Sequence, residues 1–150
     1  MSTSTTQRTV TVHRDRDAVA AYVLDFTTSA EWDPHTVRCD RVDDGPVRVG
    51  ARYENVQRLL GRETPMRYEV VEYEPGRRLV LEGGTDDVRT RDEITVDDAA
   101  GGATTVTYTV HLDLHGKARL AAPLMPVAMS RIASDGEAHL HEVLEARLPG

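Results

Sequence analysis

The chain has few of the residues that staple small proteins or carry covalent chemistry. Cys39 is its single cysteine, so no internal disulfide can form. Nothing beside it is suited to activate a thiolate, and a packed or edge role is expected. Lysine is nearly absent while arginine is common. The formal charge is −7 with basic and acidic residues interspersed, which leaves no broad positive surface for phosphates and excludes nucleic acid as a partner. No apolar run approaches the ~18 residues a membrane span needs. No basic segment followed by an apolar one opens the chain, so a cytoplasmic protein is expected. His111 and His115 stand four residues apart but in a strand pattern, and no histidine pairs with cysteine in a zinc pattern. No Gly-rich loop forms a phosphate cradle and no serine sits in a nucleophile elbow. Neither metal nor cofactor is expected.

What is present describes one folded unit. At 150 residues, 39% hydrophobic and 29% charged, the chain can bury roughly two thirds of its unfolded surface around one core. A single domain over residues 8–150 is expected, preceded by a Ser- and Thr-rich disordered tail at residues 1–7.

Val10, Thr11 and Val12 read as a short strand. Asp15 then suits a helix N-cap, with Val19, Tyr22, Val23 and Phe26 on one face. A second helical turn at 27–32 ends before Pro34. From Thr36 onward, turn-forming clusters at 43–46, Gly61, 74–76, 83–84 and 100–102 divide the middle into about six strands. In 104–115, Val106, Tyr108, Val110, Leu112 and Leu114 alternate with polar residues and must face the core. His111 and His115 fall on the outer face. In the preceding strand Val88, Thr90, Asp92, Ile94 and Val96 share a face, which carries the Asp92 carboxylate inward. Tyr53, Asn55, Gln57 and Leu59 are assigned to the inner face, opposite Glu54, Val56, Arg58 and Leu60. Met66, Tyr68 and Val70 are inner residues of the next strand, and Leu79 and Leu81 of the one after. Pro123 and Pro126 keep 117–125 out of a helix. The last helix then runs from about Pro126 to Leu148, burying Ile132, His139, Leu140, Val143 and Leu144.

A helix of that length can lie across a whole curved sheet. The space between is either filled or left as a cavity, and several polar side chains fall on its inward side. Trp32 and His35 are assigned to the cavity mouth, although a capping role for His35 stays open. Tyr53, Tyr68 and Tyr108 offer flat apolar surface with a hydroxyl, while Asn55, Gln57 and Asp92 can orient polar groups. Val70, Leu81, Ile94 and Val110 supply apolar wall. Leu124, Met125 and Met129, in the apolar segment 123–129, form a movable cover or else an ordinary core-packing helix entry, and Ile132 lines the cavity from the last helix. Asp92, desolvated among apolar neighbours, is the candidate catalytic acid or base. Tyr108 or Tyr68 would be its hydrogen-bond partner. The alternative for Asp92 is a surface salt bridge to an arginine.

Several landmarks together resemble a known pattern: Asp17-Ala18-Val19 with Tyr22-Val23-Leu24-Asp25, Glu31-Trp32-Asp33-Pro34, Val49-Gly50, Tyr68-Glu69-Val70, Glu72-Tyr73-Glu74-Pro75, Arg78-Leu79-Val80-Leu81, and Pro123-Leu124. They are similar to the START-like (SRPBCC, Bet v 1-like) superfamily, specifically its polyketide cyclase/dehydrase and lipid-transport group. The resemblance implies an α+β helix-grip fold: a seven-stranded curved antiparallel sheet around a long C-terminal helix, with two short helices after the first strand. It further implies a hydrophobic, aromatic or polyketide-like ligand and a cyclase- or aromatase-like reaction. A non-catalytic lipid or isoprenoid carrier, or a protein-interaction module with a filled core, are the alternatives. The sequence leaves the oligomeric state open, a homodimer included.

Overall fold

The computed structural model describes residues 2–59 and 61–148. Met1, Leu60, Pro149 and Gly150 lie outside them, and with them the first residue of the expected tail, the outward assignment of Leu60 and the last two residues of the expected domain. The chain runs β1 (Ser2–Val12), α1 (Arg16–Val23), a 3₁₀ turn (Phe26–Thr28), α2 (Ser29–Trp32), β2 (Thr36–Arg41), β3 (Arg52–Leu59) and β4 (Arg62–Glu74). It continues through β5 (Arg78–Gly84), β6 (Val88–Asp98), β7 (Thr104–Leu114), a 3₁₀ turn (Gly116–Ala121) and α3 (Met125–Arg147). The seven strands form one sheet in the order β1-β7-β6-β5-β4-β3-β2, with every neighbouring pair antiparallel. This is the helix-grip architecture.

The expectation of a disordered tail is corrected for residues 2–7. β1 begins at Ser2 and pairs with β7 along its whole length, from Ser2 opposite Leu114 to Val12 opposite Thr104. The threonines that lowered the hydrophobicity of this stretch are β-branched and suit an edge strand. Thr3, Thr5, Gln7 and Thr11 also hydrogen-bond through their side chains to Asp113, His111, Thr109 and Thr105 of β7.

Local chemistry sets the other elements. The Asp15 carboxylate accepts from the Ala18 amide at 3.0 Å and caps α1. Pro126 lies in the first turn of α3, where its missing N–H costs no hydrogen bond. Gly83 and Gly84, expected to form a hairpin turn, instead end β5, and the turn follows them. A Cβ on Gly83 would lie 1.9 Å from the Arg67 carbonyl oxygen, so only glycine allows β5 and β4 to approach there. The register shift between Val70 and Glu72 adds a local bend in β4.

The interior contains two apolar clusters. The larger joins Val19, Val23 and Phe26 to Tyr53, Val70, Leu79 and Leu81 of the sheet and to Leu140, Val143 and Leu144 of α3. The smaller joins Leu112 and Leu114 to Met125 and Met129 at the start of α3.

Candidate functional site

Between these clusters lies a cavity of about 140 Å³. Its floor is the inner face of β1, β3, β4, β6 and β7, its roof is the first four turns of α3, and Trp32 closes one end. Strand parity places the floor. Met66 and Tyr68 reach it from β4, Thr90 and Asp92 from β6, and Val106, Tyr108, Val110 and Leu112 from β7. The lining is mostly apolar, which makes its few polar groups informative.

Asp92 is 3% exposed. Its Oδ1 accepts from the Thr90 hydroxyl and its Oδ2 from the Tyr108 hydroxyl, both at 2.7 Å. The salt bridge to an arginine, the alternative for this residue, is not what the carboxylate makes. Burial raises its pKa from 3.8 to about 6, against the lowering effect of the two hydroxyl donors. Burial and the nearby Asp92 charge push the hydroxyls of Tyr108 and Tyr68 well above the ordinary tyrosine range, so both stay protonated, and Tyr108 donates to Asp92. The site therefore holds a buried carboxylate in a mostly apolar chamber, braced by two hydroxyls.

Trp32 is fixed from three sides. Its ring meets Tyr108 edge to face with centroids 5.5 Å apart. Its carbonyl accepts from His139 Nδ1 at 2.9 Å. A Cβ on Gly136 of α3 would stand 3.4 Å from Trp32 Cζ3, so the glycine marks the close approach of helix to indole. Asp33 follows on the cavity wall, accepting from the His35 amide at 2.9 Å and the Thr36 hydroxyl at 2.8 Å. Burial raises its pKa as well.

Nine of the sequence-predicted residues line the cavity: Trp32, Gln57, Tyr68, Asp92, Tyr108, Val110, Met125, Met129 and Ile132. The other seven do not. Tyr53 and Asn55 face inward but belong to the filled end, where the Tyr53 ring packs edge-on to Phe26 at 5.4 Å and Asn55 Nδ2 donates to Ser29 Oγ at 3.4 Å. Val70, Leu81 and Ile94 are likewise inward and sealed in the larger cluster. His35 turns away from the mouth and pairs with Asp135 of α3 at 2.8 Å. Leu124, one residue before α3, points to solvent.

Residues absent from the expectation also line the chamber: Thr6, Arg8 and Val10 from β1, Asp33, Thr90, and Ala133, Gly136 and Glu137 from α3. Of the β1 residues, Thr6 fell in the expected tail, while Arg8 and Val10 lay in the expected domain but were not assigned to the cavity. Ala133 and Gly136 are small residues at helical spacing on the roof, a pattern that leaves room beneath a helix. Among the described residues, no group of three His, Cys, Asp or Glu side chains is placed to hold a metal ion.

The solved structures similar to this fold include the Zhui aromatase/cyclase from Streptomyces sp. R1128, at 15% identity and a TM-score of 0.81, over 97% of this chain and 95% of that one. A START superfamily protein from Mycobacterium smegmatis is similar at 11% identity and a TM-score of 0.70, over 93% and 98%. A di-domain aromatase/cyclase, BexL of the BE-7585A biosynthetic pathway, is similar at 18% identity and a TM-score of 0.67, over 97% of this chain and 51% of that one. No curated protein matches in sequence. At these identities the likeness is one of fold. The family model for polyketide cyclase / dehydrase and lipid transport matches residues 3–145, a span that takes in every strand from β1 to β7 and nearly all of α3, and the chain belongs to that family.

Proposed function

We propose that the cavity binds a hydrophobic molecule bearing an aromatic or polyketide-like ring, and that Asp92 transfers a proton on it. Size supports the ring. An apolar cavity of ~150 Å³ accommodates a benzene-sized ligand, and this one is of that order at about 140 Å³. A larger polycycle enters only if the start of α3 shifts outward. The observation that carries the reading is Asp92 itself, a buried carboxylate held by Thr90 and Tyr108 at the wall of an otherwise apolar chamber. With a pKa near 6 it is ionised at neutral pH yet basic enough to accept a proton. A C–H flanked by carbonyls would give its proton to Asp92 and become an enolate. Where the neighbouring carbon already carries a hydroxyl, the enolate expels it: the C–O bond breaks as a C=C bond forms, and protonated Asp92 gives its proton to the departing oxygen, which leaves as water. The similarity to solved aromatase/cyclases supports this class of reaction.

The test is the Asp92→Asn variant with a panel of aromatic polyketides and poly-β-carbonyl compounds. Ligand affinity should stay within roughly tenfold, about 1.4 kcal/mol, while turnover falls ~100-fold or more. A second reading, carriage without chemistry, is favoured by the apolar lining. In that case no compound is converted by the wild type, and the variant changes affinity alone.

A further inference from the structure

The three most exposed large apolar side chains in the described chain stand together just before and within the first turn of α3. Leu120 is 86% exposed, Leu124 61% and Val127 70%. The 3₁₀ turn Gly116–Ala121 is inverted relative to an ordinary surface element: Ala118, Ala121 and Ala122 pack inward on the smaller cluster, while Leu120 points out. Small residues inside and large aliphatic ones outside make poor use of apolar surface unless something covers them. Cations interleave with these side chains. Lys117, the only lysine in the chain, and Arg119 precede Leu120 by three residues and one, and Arg131 follows Val127 by one turn. None of the three forms an ion pair among the described residues, although most other arginines do. Of the nearby acids, Asp135 is paired with His35, while the exposed Asp87 carboxylate stands beside Gly116. The patch adjoins the cavity, since Met125, Ala128 and Met129 alternate with the exposed residues and form the roof.

We propose that this patch, built on Leu120, Leu124, Val127, Lys117, Arg119 and Arg131, docks on the surface of an anionic lipid bilayer. Exposed aliphatic side chains with unpaired cations close by in the chain fit the boundary between acyl chains and negatively charged headgroups. A second copy of the chain is disfavoured, because a two-fold contact would set the same cations against each other. Docked there, the roof of the cavity faces an apolar phase, and a hydrophobic ligand passes between bilayer and chamber without crossing water. No helix among the described residues is long and apolar enough to cross a membrane, and the proposal concerns surface contact. The docking step does not depend on which ligand the chamber takes, so its failure leaves the cavity reading standing.

The test is co-sedimentation of the full chain with vesicles of phosphatidylcholine alone or mixed equally with phosphatidylglycerol. The protein should pellet with the anionic vesicles, at least tenfold more tightly than with neutral ones, and lose that binding as salt rises. Leu120→Ser with Leu124→Ser should weaken it tenfold or more. Lys117→Glu with Arg119→Glu should abolish the preference for anionic lipid. All four positions are at the surface, and an unchanged melting temperature verifies folding. A wild type that stays in the supernatant, equal binding to neutral vesicles, or binding that survives either pair of substitutions overturns the proposal. So does a dimer in solution that is lost with Leu120→Ser and Leu124→Ser while vesicle binding is absent.

Discussion

The two halves of α3 cover different interiors. The C-terminal half lays Leu140, Val143 and Leu144 on a solid cluster of Phe26, Tyr53, Val70 and Leu81. The N-terminal half spans a chamber with Met125, Met129, Ile132, Ala133 and Gly136. One helix thus serves as core on one side and as roof on the other, and side-chain size makes the division. Branched leucines and valines close the first half, whereas methionine, alanine and glycine leave volume beneath the second. The sheet shows the same contrast, with tightly packed apolar chains at one end and Asp92, Thr90 and Tyr108 at the other.

If that division is right, equal truncations should have unequal costs. Leu144→Ala, at a fully buried position, should destabilise the protein by about 3–4 kcal/mol in chemical denaturation, the usual range for a core leucine. Met129→Ala over the chamber should cost only about 1 kcal/mol, because its side chain already lacks neighbours on one side. Equal losses at the two positions would mean that the roof is packed like the core.

The polar end should also betray itself through pH. The Asp92 carboxyl has a pKa of about 6 in the folded protein against 3.8 for the free side chain. Between those values the folded state keeps a proton that the unfolded chain has released, so this group makes stability fall as pH rises through the window. The full penalty, up to about 3 kcal/mol, is in place above pH ~6. Asp92→Asn escapes it. Its stability relative to wild type should therefore improve by about 2–3 kcal/mol from the acid side of the window to neutral pH, measured by denaturant unfolding at several pH values. A difference that does not vary with pH would place Asp92 in a hydrated environment.

The smallest effect sits on the seam between the halves. Gly136→Ala gains helix propensity worth about 1 kcal/mol and brings a methyl group to 3.4 Å from the Trp32 ring. The two should leave a net change of less than about 1 kcal/mol, with a measurable shift in Trp32 emission. A larger loss would show that the indole cannot yield.

This division explains what the sequence could and could not disclose. Alternation along β6 and β7 sorted inner from outer faces, and it placed Asp92 and Tyr108 on the same side of neighbouring strands, where they meet. Parity has no information about position along the groove. Tyr53, Asn55, Val70, Leu81 and Ile94 have the right face but lie at the filled end, a distinction that depends on how α3 crosses the sheet. Leu124 and Met125 are adjacent and equally apolar, and only the phase of α3 decides that one is exposed and the other lines the chamber. His35 was misplaced because its partner, Asp135, is 100 residues away in sequence. Thr6 was hidden by a composition that resembles a tail, although five threonines between Ser2 and Val12 suit a strand.

The central claim is that ligand enters the space beneath Ala133 and Trp32, and one titration addresses it directly. Trp32 is the sole tryptophan and lines the chamber, so its emission reports occupancy. Wild type and the cavity-filling Ala133→Phe variant would be titrated with the same aromatic ligand under identical conditions. The wild type should show a saturable change in Trp32 emission. The variant, folded and with its melting temperature retained, should bind at least ~100-fold more weakly, a loss of about 2.7 kcal/mol. The same saturable change in both proteins would put the ligand elsewhere and contradict the account.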